Sequence, residues 1–247
     1  MTEIETWTDQ SLRSFAAMAR VQIDEAARLW LRAAEIAEAA PLSAPVLAAS
    51  RSNAGVARLI LDNANDARRA FRKAEEAWRL VISSIATLDI PMTGATSFHF
   101  RLATKVPHAL IEARRRRYRQ LAEAALGITR FNRLLVDDGD PASEIVALHA
   151  RDLMAILKDI LGPCSPEVRL LAAPAEQATD ASVFSSYAPK AADFAHRQRT
   201  LSATLSEDCA ALEAAVTLTA LLGPQTFSAV RRLRETKKAR SEIGMPH

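Results

Sequence analysis

Two stretches of this chain repeat one pattern of small, aromatic and small residues: Ala26-x3-Trp30-x2-Ala33 and Ala67-x3-Phe71-x2-Ala74. Each follows a turn-forming pair, Asp24-Glu25 in the first copy and Asn65-Asp66 in the second. Steps of four and three put the Ala, the ring and the second Ala on one face of a helix. Two helices joined by a short turn approach closely only where side chains are small. Gly55, in Asn53-Ala54-Gly55, and Ala67 are therefore expected as the close-contact points of a hairpin, with Phe71 and Trp78 filling the space above and below. The copies lie 41 residues apart, from Ala26 to Ala67.

Composition points the same way. Only 7 of 247 residues are Gly and 5% are aromatic. Tight β-hairpins and nucleotide folds with glycine loops both need more Gly, whereas Ala, Leu, Arg and Glu favour helix, so the fold class is all-α. At 49% hydrophobic and 25% charged the chain suits a soluble globular protein with a sizeable core. The net charge of +3 is too small a bias to imply nucleic acid by itself. Two cysteines, Cys164 and Cys209, stand far apart without a partner motif, which fits a reducing compartment. No leader is visible, and the longest apolar stretch, 214–222, is far short of the ~20 residues a span needs. The expectation is a cytoplasmic protein with no membrane partner.

The doubled pattern resembles the tetratricopeptide (TPR) family of helical repeats. Asn65 to Ala74 follows the family's second helix closely, and Gly55 to Ala67 has its spacing. In the first helix Arg51, Ala54 and Arg58 stand where the family has a large residue, a Leu and an aromatic. The copies are further apart than the family's ~34 residues, so the extra residues are expected to lengthen helices around the break at 41–45. The resemblance covers about residues 8–88. It implies TPR-like antiparallel hairpins and a protein or peptide partner in a concave groove lined by the first helix of each hairpin. That groove would carry Ser11 and Phe15 from the first copy, and Ser52, Asn53 and Val56 from the second. Chaperone-type members hold a terminal carboxylate with Lys and Asn on these helices. Asn53 matches one such Asn, but Ser11 and Phe15 stand where the first Lys and Asn should be. The alternative for Ser52 and Asn53 is plain helix-surface polarity, and for the whole pattern an Ala-rich bundle.

In chain order, the spacing predicts helices over 7–20, capped by Thr8 or Asp9, over 24–40, and from a Ser43 cap through Gly55. The hairpin's second helix runs to about 88, before a loop at 91–96. A short helix over 97–106 precedes a long one over 107–136 with Leu110, Tyr118, Leu121, Ala125, Ile128 and Leu135 inward. Asp140-Pro141 starts another, with a stripe of Ile145, Leu148, Ile156 and Ile160, and Ser165-Pro166-Glu167 a short one to about 172. The composition then shifts to Ala, Ser, Thr and Pro. Residues 1–172 thus read as a helical-repeat domain, 173–188 as a linker or surface loop in which Val183, Phe184 and Tyr187 dock, and 189–247 as a C-terminal helical hairpin broken at Gly223-Pro224.

No chemistry stands out. The five histidines and two cysteines form no metal-ligand pair at helical spacing, and there is no G-x-S-x-G, no phosphate loop and no local nucleophile and base pair. The sequence therefore predicts no metal, no cofactor and no enzyme. The basic run Arg114, Arg115, Arg116, Arg117 and Arg119, around Tyr118, wraps its helix and reads as a solvated face. The function expected is a protein-interaction module, an adaptor or assembly-type factor. The alternative is a nucleic-acid-associated or regulatory protein using the arginine run, and the third reading is a helical enzyme or ligand-binding bundle.

Overall fold

The computed structural model describes residues 2–40, 42–87, 106–172, 180–190, 192, 194–195 and 207–242. Its elements are α1 (Glu3–Ala19), α2 (Ile23–Ala39), α3 (Ala44–Ile60), α4 (Ala64–Ser84) with a 3-10 turn Ile85–Thr87, α5 (Val106–Asp138), α6 (Glu144–Leu161), α7 (Pro166–Ala172), α8 (Asp180–Ser185), α9 (Glu207–Thr217) and α10 (Pro224–Glu242). No strand occurs among the described residues. The loop expected at 91–96 and the short helix at 97–106 lie, all but Val106, outside them.

The 41-residue repeat is visible in the backbone. α1 and α2 are joined by Arg20-Val21-Gln22, and α3 and α4 by Leu61-Asp62-Asn63. Val21 and Asp62, 41 residues apart, both take the left-handed conformation with φ of 62°, a single-residue reversal that lets each hairpin turn tightly. Ala26, Trp30 and Ala33 on α2 and Ala67, Phe71 and Ala74 on α4 are all buried. The nearest crowding at Gly55 comes from the Phe71 ring. A Cβ added at Gly55 would lie 2.6–2.8 Å from three atoms of the Phe71 ring.

Helix starts follow local capping chemistry. α1 begins at Glu3, four residues before the expected Trp7, because Thr2 and Glu5 form a capping box: Thr2 N donates to Glu5 Oε2 at 2.7 Å and Glu5 N to Thr2 Oγ1 at 3.3 Å. The bond from the Thr2 backbone holds the Glu5 carboxyl below the usual range. Asn63 caps α4 through Asp66 N at 3.1 Å, and Ser143, not Asp140, caps α6 through Val146 N at 3.3 Å.

α1 through α6 pack each on the next in chain order, and α9 lies on α3 and α5. One apolar core runs from Trp7 to Val230, so the residues after 180 share the core of the first six helices instead of standing apart from it. Of the expected linker, 180–188 forms α8 and a turn with Val183, Phe184 and Tyr187 buried. The stripe expected on α6 is rotated. Val146, Ala150, Leu153, Leu157 and Ile160 face inward, while Ile145, Leu148 and Ile156 are about half exposed. Apolar residues occupy both faces of α6, so periodicity alone did not choose between them.

Candidate functional site

The five residues expected to line a groove are all buried: Ser11, Phe15, Ser52, Asn53 and Val56. What covers Asn53 is the chain's own C-terminal segment. The helix expected to continue to Gly223 stops at Thr217, and residues 218–223 run non-helically across the inner faces of α3 and α5. Asn53 Nδ2 donates to Leu218 O and Asn53 Oδ1 accepts from Ala220 N, both at 2.8 Å. Asn132 on α5 repeats the arrangement two residues on, donating to Ala220 O at 2.7 Å and accepting from Leu222 N at 2.8 Å.

Helix ends there because side chains supply the partners that the next helical turn would have supplied. Lys190 Nζ donates to Thr217 O at 2.6 Å, and the Tyr187 hydroxyl to Leu221 O at 2.7 Å. The segment is also anchored by its side chains, since Leu218, Ala220, Leu221 and Leu222 are fully buried. Gly223 closes it. A Cβ there would sit against the Leu170 carbonyl oxygen, well inside van der Waals contact, so the chain passes α7 at a distance only Gly allows.

The other expected groove residues build the walls. Ser52 Oγ accepts from Thr129 Oγ1 at 3.0 Å, tying α3 to α5 beside the two asparagines. Phe15 meets Trp30 edge-on at 5.5 Å and stacks on Tyr187 at 6.3 Å, and Lys190 Nζ lies 5.3 Å from its ring centre. The Ser11 hydroxyl is buried without a hydrogen-bond partner. Sequence reasoning placed Tyr187 only as a docking residue and missed Asn132, Lys190 and the pairing role of Glu167. Lys190 and Glu167 form a buried ion pair, with side chains 1% and 3% exposed. Burial pushes the Tyr187 phenol far up, so the hydroxyl stays a donor at neutral pH. The available signal was an Asn on a helix that otherwise shows an inward apolar stripe.

The arginine run is spread around α5. Arg114 and Arg115 are half-buried, while Arg116, Arg117 and Arg119 are exposed. Arg115 pairs with Glu112 at 2.9 Å and Arg119 with Glu123 at 3.1 Å. Tyr118 is buried, and burial followed by the neighbouring Cys209 pushes its phenol well above the usual range, so its ring is not available to stack on a base.

Two larger hollows lie among the described residues. One of about 740 Å³ is lined by Glu3, Glu5, Asp9 and Leu12 of α1 with Ala211 and Ala214 of α9. Another of about 750 Å³ lies beside α10, lined by Leu59, Asp62, Phe227, Arg231 and Lys238. No group of three His, Cys, Asp or Glu able to hold a metal occurs among the described residues, and no described helix is long and apolar enough to cross a membrane. No protein-family model matches the chain, and neither a curated protein nor a solved structure matches it.

Proposed function

We propose that the chain is a protein-interaction module of TPR-like hairpins whose groove reads an extended polypeptide backbone through side-chain amides. The observation that supports this reading is the pair Asn53 and Asn132. Each donates to a carbonyl and accepts from the N–H two residues on, which are the bonds a neighbouring β-strand would make. Contacts of that kind address main chain, so they suit any extended segment whose alternate side chains fit the walls. In this conformation the occupant is the segment 218–222, and a partner segment enters by exchange with it.

The experiment is complementation in trans. A labelled peptide spanning residues 215–224 is titrated into the full chain and into Ala220→Pro, which removes the N–H that Asn53 accepts and so weakens the tethered segment. The tethered segment competes at an effective concentration of order millimolar, so wild type is expected to bind the peptide at least about tenfold more weakly than Ala220→Pro does. Asn53→Leu with Asn132→Leu in the Ala220→Pro background is expected to abolish binding. If Ala220→Pro keeps its helical circular dichroism and binds no peptide, the segment is a structural element only and the reading falls.

A further inference from the structure

The Glu75 carboxylate on α4, buried at the α4 to α5 contact, faces three guanidinium groups. Arg133 Nε lies 2.5 Å from Oε1, and Arg79 Nη2 and Arg130 Nε lie 3.0 and 3.8 Å from Oε2. Further along, Asp137 takes Arg133 Nη1 at 3.2 Å and Arg68 Nε at 2.9 Å. Arg72, one turn from Arg68 on the same face of α4, is exposed and makes no ion pair with a described carboxylate, Glu76 lying one turn further on. Five arginines thus share one seam with two carboxylates.

Joining two helices does not require this ratio. Two arginines would satisfy Glu75 and Asp137, and each further one adds like-charge repulsion that only solvent screening relieves. The surplus is also turned outward. The Arg79 and Arg130 side chains are each 52% exposed, and each spends one nitrogen on Glu75. The remaining N–H groups of both forks therefore face solvent, anchored from below by a carboxylate that fixes their position. All five cations are Arg, whose planar fork matches carboxylate geometry, and none is Lys.

We infer that this seam is a docking surface for an acidic polypeptide segment. From Arg68 to Arg79 it spans about 16 Å of helix at 1.5 Å per residue, room for several successive acidic side chains. The rings of α4 and α5, Phe71, Trp78, Tyr118 and Phe131, are all buried, so no aromatic face is offered to a nucleic-acid base. Leu80, beside Arg79, is 68% exposed and gives a peptide side chain an apolar contact that a phosphate backbone cannot use. The surface is separate from the asparagine groove: Asn132 and Arg133 are consecutive on α5 and so point about 100° apart.

The test uses the full chain, a labelled Glu-rich peptide, its Gln counterpart and a single-stranded oligonucleotide of equal charge, followed by fluorescence anisotropy. Only the Glu peptide is expected to bind well, and binding weakens steeply with salt. Arg79→Gln with Arg130→Gln is expected to weaken it about tenfold, Arg79→Lys with Arg130→Lys by less because charge survives while the fork is lost. Arg72→Gln touches no ion pair, and is expected to weaken binding severalfold with an unchanged melting temperature. Arg116→Gln with Arg117→Gln is the charge control and is expected to leave affinity within about twofold. Equal losses in the control and seam variants, tighter binding of the oligonucleotide, or no affinity for the Glu peptide at low salt would each overturn the inference.

Discussion

Asn53 and Asn132 hold the same residue from opposite sides: Asn53 accepts the Ala220 N–H and Asn132 donates to the Ala220 carbonyl, at 2.8 and 2.7 Å. Ala220 is fully buried, so neither group has water to fall back on. Asn53→Leu leaves the Leu218 carbonyl and the Ala220 N–H unpaired in the core, at a cost of about 1–3 kcal/mol each. The expected outcome is a lower urea midpoint and faster amide exchange at Ala220 and Leu222, with α4 amides little changed at low denaturant. Exchange at Ala220 as slow as in wild type would mean that the amide ladder contributes nothing.

Lys190 and Glu167 depend on each other as a buried ion pair. Lys190→Met leaves the Glu167 carboxylate buried without its cation, and removing one partner of such a pair costs about 3–5 kcal/mol. Lys190→Met with Glu167→Leu removes both charges and is expected to recover part of that loss, since an apolar pair replaces an ion pair at little net cost while the Thr217 carbonyl, also served by Lys190, stays unpaired. Denaturation of the two singles and the double gives the coupling directly. Additive losses would show that the two side chains do not depend on each other.

The Gly55 site tests the hairpin contact. Alanine there regains about 1 kcal/mol of helix propensity, yet its Cβ would press on the Phe71 ring, and overpacking costs about 1–3 kcal/mol. Gly55→Leu is expected to be clearly destabilised even though Leu favours helix. Shrinking the ring relieves the pressure, so Gly55→Ala with Phe71→Leu should cost less than the sum of the singles in thermal melts. A Gly55→Leu protein as stable as the parent would place the Phe71 ring elsewhere.

Asp24, at the start of α2, ties α10 down, bonding Lys237 Nζ at 2.6 Å and Arg234 Nη2 at 2.7 Å. The bond from Lys237 is the first cause holding its carboxyl below the ordinary value of 3.8, and Arg234 acts in the same direction. A depressed folded value means that the stabilisation is complete above the ordinary value and is lost as pH falls through the folded one. Asp24→Asn is therefore expected to lower the melting temperature by up to about 3 °C, the pair being partly solvated. That difference should be constant from neutral pH down to about 5 and shrink below about 4. A difference that grew on acidification would contradict the pairing.

Local sequence carried much of the architecture. The three- and four-residue spacing of Tyr118, Leu121, Ala125, Ile128 and Leu135 marks the inward face of α5, and all five are buried. The 41-residue interval between Ala26 and Ala67 recurs in the matching turns at Val21 and Asp62. These features are legible because helix periodicity and turn chemistry are written within a few residues of where they act. On α6 the same signal failed, since Ile145 and Val146 are both apolar and only packing against α5 selects one face.

The sequence by itself determined an all-helical chain with a hairpin pattern repeated at 41 residues, and it put Ser52, Asn53 and Val56 on one expected groove face, where the structure buries all three. Only the tertiary structure decided what lies on that face. Asn53 meets Leu218 and Ala220 across 165 and 167 residues, and Asn132 meets Ala220 and Leu222 across 88 and 90. No local pattern near residue 53 encodes a segment so distant. The end of α9 at Thr217 was equally hidden, because Leu218 to Leu222 leave helical geometry where Asn53, Asn132 and Tyr187, with Lys190 at the Thr217 carbonyl, meet the freed backbone groups, and those donors and acceptors converge only once α3, α5 and α9 have packed.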